Sequence, residues 1–311
     1  MTRFPGCSDD SAAAGEQLAG SAPQSAAWLA LEQPGPWGPK AFTDSHLDPE
    51  LGRTIETQAA AHDVRPALIR SPGRHADEHR AHGPRTVLAA HTRPGRTWLL
   101  HGSVEEPEQL RDLDWSALGR GDLEGVRRSL PVLHPTDRPH LLLCTNGTRD
   151  VCCATKGRPV VLGLAGSHPG EVWEVTHTSG HRFAPTGVLL PAGTLHGRLA
   201  LDTAAFVLDE AAAGRTVLAG HRGRCTWPAP AQVAELEVRG RLGELGLDAL
   251  DVLDHEETAE HAWVTRVGHA DGRSWRVEVR SVATDEERRD SCAKGAKPLR
   301  RWETSVSPAE T

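Results

Sequence analysis

HLLLCTNGTRDVCCATKGRPVVLGLA, residues 140–165, contains the alternation that decides the fold. His140–Leu143 is an apolar run of buried-strand length, and it ends at Cys144. Asn146-Gly147 marks a loop, and the apolar positions within Cys152–Ala165 predict a short helix. Further on, Val172–Thr176 reads as a second strand. Gly187–Leu190 and Leu195–Leu201 read as two strands flanking Pro191-Ala-Gly193. Asp202–Ala213 is an amphipathic helix with Gly214 behind it.

The same order occurs once before. Ala26–Glu32 is a strand stopped by Pro34-Gly35-Pro36. Asp48 caps a helix that Pro49 opens and that runs to about His62. Arg65–Arg70 is a strand, Arg74–Pro84 a polar, His-rich loop, and Thr86–His91 with Thr97–His101 a hairpin. Glu106–Leu113 reads as helical. Strand, helix, strand, hairpin, helix is the thioredoxin order with the helix after the second strand lost or shortened. The fold class is therefore α/β, with two thioredoxin-like halves, mixed sheets flanked by helices. A small C-terminal α+β module follows: a helix over Ala231–Leu242, a hairpin of Ala262–Gly268 and Ser274–Val282 around Asp271-Gly272, and a strand at Arg300–Val306. The expected domains are residues 1–130, residues 131–228 and residues 229–311.

The chain has 311 residues, enough for two or three domains without disulfides. Its 35 Lys+Arg against 42 Asp+Glu give a formal net charge of −7, which argues against nucleic acid or an anionic membrane as the main partner. No apolar run reaches the ~18 residues that span a bilayer. Met1–Gln17 has neither a secretory nor a transit pattern, so a reducing, cytoplasmic setting is expected. Six cysteines then need a reason: Cys7, Cys144, Cys152, Cys153, Cys225 and Cys292. In such a setting clustered cysteines point to metal or redox work more than to disulfides.

Cys144 ends one predicted strand, and Cys152 and Cys153 follow across a polar loop. His177 and His181 form an HxxxH just after the next strand. Both segments start at strand ends, so they lie on one edge of the sheet and can converge. Ser179-Gly180 and Pro185 make the histidine segment a loop rather than a helix. Two thiolates and two imidazoles suit structural zinc, and they equally suit a 2Fe–2S cluster with two cysteines on one iron and two histidines on the other. The eight residues between Cys144 and Cys153 exceed the usual zinc spacing and favour the larger two-iron centre.

Cys144-x8-Cys153, 23 residues, and then His177-Thr-Ser-Gly-His181 resembles the signature of the sucrase/ferredoxin-like family, C-x8-C followed by H-x-G-G-H. Trp28–Trp37 (WLALEQPGPW), Cys144–Gly157, His181-Arg182-Phe183, Leu190-Pro191, Gly197-Arg198-Leu199 and His221–Arg239 are similar to the same family, over about residues 5–305. Ser179 departs from the pattern, standing where the family has the first Gly of the pair. The resemblance implies a thioredoxin-like ferredoxin. In it Cys144 and Cys153 hold the iron that stays ferric, and His177 and His181 hold the reducible iron. Cys152 is the alternative second thiolate and is otherwise read as packing. It implies one-electron transfer, with neutral imidazoles raising the potential above that of an all-thiolate cluster and coupling the electron to a proton. A zinc-stabilised binding module using the same four ligands, and a thiol redox protein, are the alternatives.

No nicotinamide or flavin fingerprint is visible, and Gly163-x-x-Gly166 lacks the rest of a dinucleotide loop. Electrons are expected from a partner reductase or a small reductant, and a ferric chelate or other small molecule is a conceivable acceptor. No paired carboxylates mark a sugar-cleaving site. Cys7, Cys225 and Cys292 read as isolated small buried or shielded residues, although Ser291-Cys292 lies in a motif-like stretch. Asp285–Glu287 reads as a solvated face, and Trp37 and Trp173 as core or loop anchors. Arg149, Lys156, Arg182, His75, His79, His82 and His168 read as surface residues.

Overall fold

The structure is a computed structural model that describes residues 6–73 and 83–309. Residues 74–82 of the loop predicted at Arg74–Pro84, with His75, His79 and His82, lie outside the described residues.

Helix α1 (Cys7–Ala13) precedes strand β1 (Ala27–Glu32) and helix α2 (Pro49–Ala61). Asp48 caps α2 by accepting from the N–H groups of Glu50 at 3.0 Å and Leu51 at 2.8 Å, and Pro49 sits where a helix needs no N–H. Strands β2 (Val64–Arg70), β3 (Arg85–His91) and β4 (Trp98–Val104) complete the first set. The segment predicted as a helix at Glu106–Leu113 is a 3-10 helix, Pro107–Asp112. Two short helices then follow, α3 (Trp115–Arg120) and α4 (Leu123–Ser129), capped by Asp114 and Asp122. After β5 (Leu133–Pro135) the second set repeats the first: β6 (His140–Cys144), α5 (Val151–Leu164), β7 (Val172–Val175), β8 (Gly187–Leu190), β9 (Thr194–His196), α6 (Leu201–Ala212) and β10 (His221–Arg224). The place of the missing second helix is taken here by a three-residue 3-10 turn, His181–Phe183.

In each half the first two strands are parallel and the third is antiparallel to the first. The order is β4-β3-β1-β2 in one half and β9-β8-β6-β7 in the other. This is the thioredoxin order, twice. The halves join where β2 pairs antiparallel with β7, Ile69 opposite Val175 and Arg70 opposite Glu174, so one ten-stranded sheet runs through the molecule. Strand alternation divides the core. Leu29 and Leu31 face α2, and Leu141 and Leu143 face α5 and α6. Trp28, Ala30, Leu142 and Cys144 face a shared apolar layer on the opposite side of the sheet.

The C-terminal region is a four-stranded antiparallel meander, β11 (Leu250–Ala259), β12 (Ala262–His269), β13 (Ser274–Arg289) and β14 (Ala296–Pro308). Helix α7 (Ala229–Leu242) packs on it through Val233, Ala234 and Val238. The long β13–β14 hairpin reaches back to the N-terminal segment. There Arg288 pairs with Glu16 at 3.0 Å and Arg289 with Asp10 at 2.5 Å. No helix among the described residues is long and apolar enough to cross a membrane.

Buried histidines give the fold an acid limit. Burial is the first cause that holds His140 and His196 down to about 4 and pushes His221 down as well. Below pH ~6.5 the unfolded chain protonates these rings while the folded chain does not, so the unfolded state binds more protons and stability falls as pH falls. His140 and His196 are each expected to remove about 1.4 kcal/mol per pH unit between pH ~6.5 and ~4. Urea midpoints at pH 7 and pH 5 measure this, and equal midpoints would contradict it.

Candidate metal centre

The site is built at the carboxyl ends of the parallel strands β6 and β7. Cys144 is the last residue of β6, and its side chain is turned into the shared apolar layer. Asp150 caps α5 by accepting from the N–H of Cys152 at 2.9 Å. Cys152 and Cys153 therefore sit in the first helical turn, about 100° apart around the axis, and face different surroundings. Cys153 is fully buried and its Sγ lies 3.4 Å from His181 Nδ1. Its thiol neighbours that of Cys144, whose Sγ donates to the Thr176 carbonyl at 3.7 Å. Beyond β7 the chain runs through Thr176 and His177 to His181, whose rings stack with centroids 4.8 Å apart. The four residues singled out from the sequence are thus brought to one place, with the thiols buried and both imidazoles half-buried at the rim.

The loop that carries the histidines is held in an uncommon backbone shape. Ser179 has φ 61° and Gly180 φ 72°, both left-handed. Gly180 needs no Cβ there, and a Cβ would come within 2.4 Å of Arg222 Nη2. Ser179 bears the left-handed strain that a glycine would avoid, about 1 kcal/mol. Its hydroxyl accepts from Arg65 Nη2 at 2.8 Å and its carbonyl accepts from Arg222 Nη1 at 3.0 Å. Arg222 is fully buried and also donates to Ser21 and to Thr186 Oγ1 at 2.7 Å, so one guanidinium ties the loop to β8 and to the N-terminal segment.

The electrostatics favour neutral imidazoles beside an anionic occupant. Burial, then Arg149 and Arg65, holds His177 down to about 2. Burial likewise lowers His181, with Asp150 opposing. Both rings are therefore unprotonated near neutrality, the form that binds metal. His177 Nδ1 is buried without a hydrogen-bond partner. The Cys144 thiol is held down by the neighbouring Cys153 thiol, and by the Asn146 and Thr178 N–H groups, against burial; Cys153 is pushed up by the same pairing. A groove of about 260 Å³ opens beside His177, lined by Lys40, Arg65 and Arg149 among others.

A second group of donors lies next to the first, and the sequence did not reveal it. Cys152, read as packing, and Cys7 and Cys292, read as isolated, meet Asp150. Among the described residues these four form a set whose donor atoms all lie within 4.8 Å of one another, and Cys144, Cys153, His177 and His181 are spread more widely. Cys7 and Cys292 are 285 positions apart, so no local spacing could show their meeting. The signals available were the doubled Cys152-Cys153 at a helix start, where adjacent side chains diverge, and the motif-like stretch at Ser291-Cys292. Cys225 fits its reading: it is buried, 3.3 Å from Trp28 Nε1 and 3.4 Å from Thr92 Oγ1.

The remaining readings divide simply. Trp37 and Trp173 are buried anchors, whose indole N–H groups donate to the Gln33 carbonyl at 2.8 Å and to His140 Nδ1 at 3.0 Å. Asp285–Glu287 is exposed, as is Arg149. Lys156, Arg182 and His168 are half-buried and pair with Asp9, Glu16 and Asp209.

The model of the family described as "Sucrase/ferredoxin-like" matches residues 18–223, more than half of the chain. Such a match, together with the paired thioredoxin-order halves and the cysteine–histidine edge, defines the class: the chain belongs to the sucrase/ferredoxin-like family. No curated protein and no solved structure matches the chain.

Proposed function

We propose that the protein is a one-electron carrier whose 2Fe–2S cluster is held by Cys144, Cys153, His177 and His181. The observation that carries this reading is the polarity of the edge site: two buried thiols behind two neutral, half-buried imidazoles, one with an unpartnered ring nitrogen. Two sulfur and two nitrogen donors suit such a cluster, which when bound supplies a reversible one-electron couple at a higher potential than an all-thiolate centre. Arg65, Arg149 and Arg222 surround the site and lower the cost of added negative charge. His177 and His181 lie at the rim, where a ring nitrogen not used for binding can hold or release a proton to water. The basic groove beside His177 suits a small anionic acceptor such as a ferric chelate, and a reductase supplies the electrons.

Anaerobic purification of the full chain tests the reading. The expected product is red-brown, with two irons per chain and an EPR signal after dithionite. Its midpoint potential is expected to fall as pH rises between pH 6 and 10, by ~59 mV per pH unit where one proton accompanies the electron. Iron-free, colourless protein after reconstitution under argon would overturn the reading, and a pH-independent potential would remove the proton coupling.

A further inference from the structure

We propose that Cys7, Asp150, Cys152 and Cys292 form a second, mononuclear metal site, a tetrahedral three-thiolate, one-carboxylate site for Zn²⁺.

The four donors come from three distant parts of the chain: the start of α1, the cap and first turn of α5, and the turn between β13 and β14. The sulfur–sulfur distances are 3.8 Å for Cys7–Cys152, 3.3 Å for Cys152–Cys292 and 3.6 Å for Cys7–Cys292. The Asp150 oxygens lie 3.6 and 3.7 Å from the Cys7 sulfur. A tetrahedral zinc ion with bonds of about 2.3 Å to sulfur and about 2.0 Å to oxygen places its donors about 3.8 Å (S···S) and about 3.5 Å (S···O) apart. The Cys7 distances match that spacing, Cys152 and Cys292 are closer than it by about 0.5 Å, and all four donors lie within 4.8 Å of one another, a set one ion can span. In a two-iron cluster only two of three cysteines can share an iron, and the third would lie well away from them across the bridging sulfides.

The surroundings are those of a built site. Cys7 and Cys152 are buried, and Gly6 leaves room for the Cys152 sulfur, which a Cβ at that position would meet at 2.3 Å. Backbone N–H groups orient the ligands. Cys292 N donates to Asp150 Oδ2 at 2.8 Å, Cys152 N to Asp150 Oδ1 at 2.9 Å, and Cys7 N to the Cys292 sulfur at 3.5 Å. Such hydrogen bonds fix first ligands in metal sites, and soft thiolates select zinc over magnesium or calcium. Three thiolates and a carboxylate this close repel one another, and a divalent cation removes that repulsion. Arg289, which pairs with Asp10, faces Cys292 and Cys7 and offsets the remaining negative charge. The ion would fasten the N-terminal segment and the β13–β14 hairpin to the start of α5, one residue from Cys153.

The test is metal analysis of the full chain, with zinc and iron counted separately. Wild type is expected to hold one zinc per chain. Cys7→Ser with Cys292→Ser is expected to lose that equivalent while keeping its iron, and His177→Ala with His181→Ala to lose iron while keeping zinc. Asp150→Asn, which can still cap α5, is expected to weaken zinc at least tenfold in competition with a chelator. Co²⁺ added to chelator-treated wild type should give the intense visible bands of a tetrahedral thiolate site, absent in the Cys7/Cys292 variant. The proposal is overturned by a zinc count that Cys7→Ser with Cys292→Ser leaves undiminished, by chelator-treated wild type that takes up neither Zn²⁺ nor Co²⁺, or by a Cys152–Cys292 disulfide in protein prepared under argon. Wild type with two zincs and no iron, falling to one zinc in that variant, would keep this proposal and overturn the 2Fe–2S reading.

Discussion

Glu174→Ala is expected to remove about 3–5 kcal/mol of folding stability, the cost of leaving one member of a buried ion pair alone. Glu174 has no solvent exposure. It accepts from Arg70 Nη2 at 2.8 Å and Nε at 3.1 Å, and from Thr145 Oγ1 at 2.7 Å. Arg70 and Glu174 face each other across the β2–β7 junction, the strand pair that joins the two thioredoxin-like halves. The Arg70 guanidinium also lies 4.0 Å from the Trp37 ring, so the pair anchors the loop after β1. Truncation strands a buried guanidinium and a buried hydroxyl at the seam. The paired replacement Arg70→Met with Glu174→Leu is expected to recover most of the loss, leaving about 1 kcal/mol for the Thr145 hydroxyl. Urea unfolding of the three proteins decides it. A loss under about 1 kcal/mol for Glu174→Ala would show that the seam does not depend on the pair.

The second large effect concerns potential. His177→Cys with His181→Cys is expected to keep a cluster and shift its potential from about −150 to +300 mV down toward about −400 mV. Two neutral donors become two anions, so each added electron meets two more negative charges. The basic ring of Arg65, Arg149 and Arg222 offsets part of this, which makes the lower figure a floor. Spectroelectrochemical titration under argon measures the shift. An unchanged potential in a variant that retains its cluster would mean that these imidazoles are not ligands.

The fold was legible where burial imposes a period. Leu141 and Leu143 face one layer while Leu142 and Cys144 face the other, and the apolar run 140–144 announced a strand buried on both faces. Asp48-Pro49 announced a helix start, and Asp271-Gly272 the turn between β12 and β13. β10 was not legible, because His-Arg-Gly-Arg carries no apolar pattern. Its residues are buried through tertiary partners, with Arg222 and Arg224 among the most enclosed side chains of the molecule. α3 and α4 are too short for a hydrophobic period, and caps define them instead: Asp114 and Asp122 in front, and Gly121 with φ 78° behind α3.

The candidate site divides along the same line. Cys144, Cys153, His177 and His181 lie on two adjacent strand–loop junctions, so their convergence follows from the topology. Ser179 was visible as a departure from the family pattern, and its left-handed φ shows why glycine is the pattern there. The Cys7–Asp150–Cys152–Cys292 group depends on a hairpin folding back from the C-terminal meander, a long-range contact that no spacing reports.

The most direct test of the central claim is pulsed EPR on dithionite-reduced protein labelled with ¹⁵N-histidine. The account predicts two strongly coupled imidazole nitrogens, one lost in His177→Cys and both lost when His181→Cys is added. A reduced cluster with no nitrogen coupling, or with couplings that survive both substitutions, would contradict it.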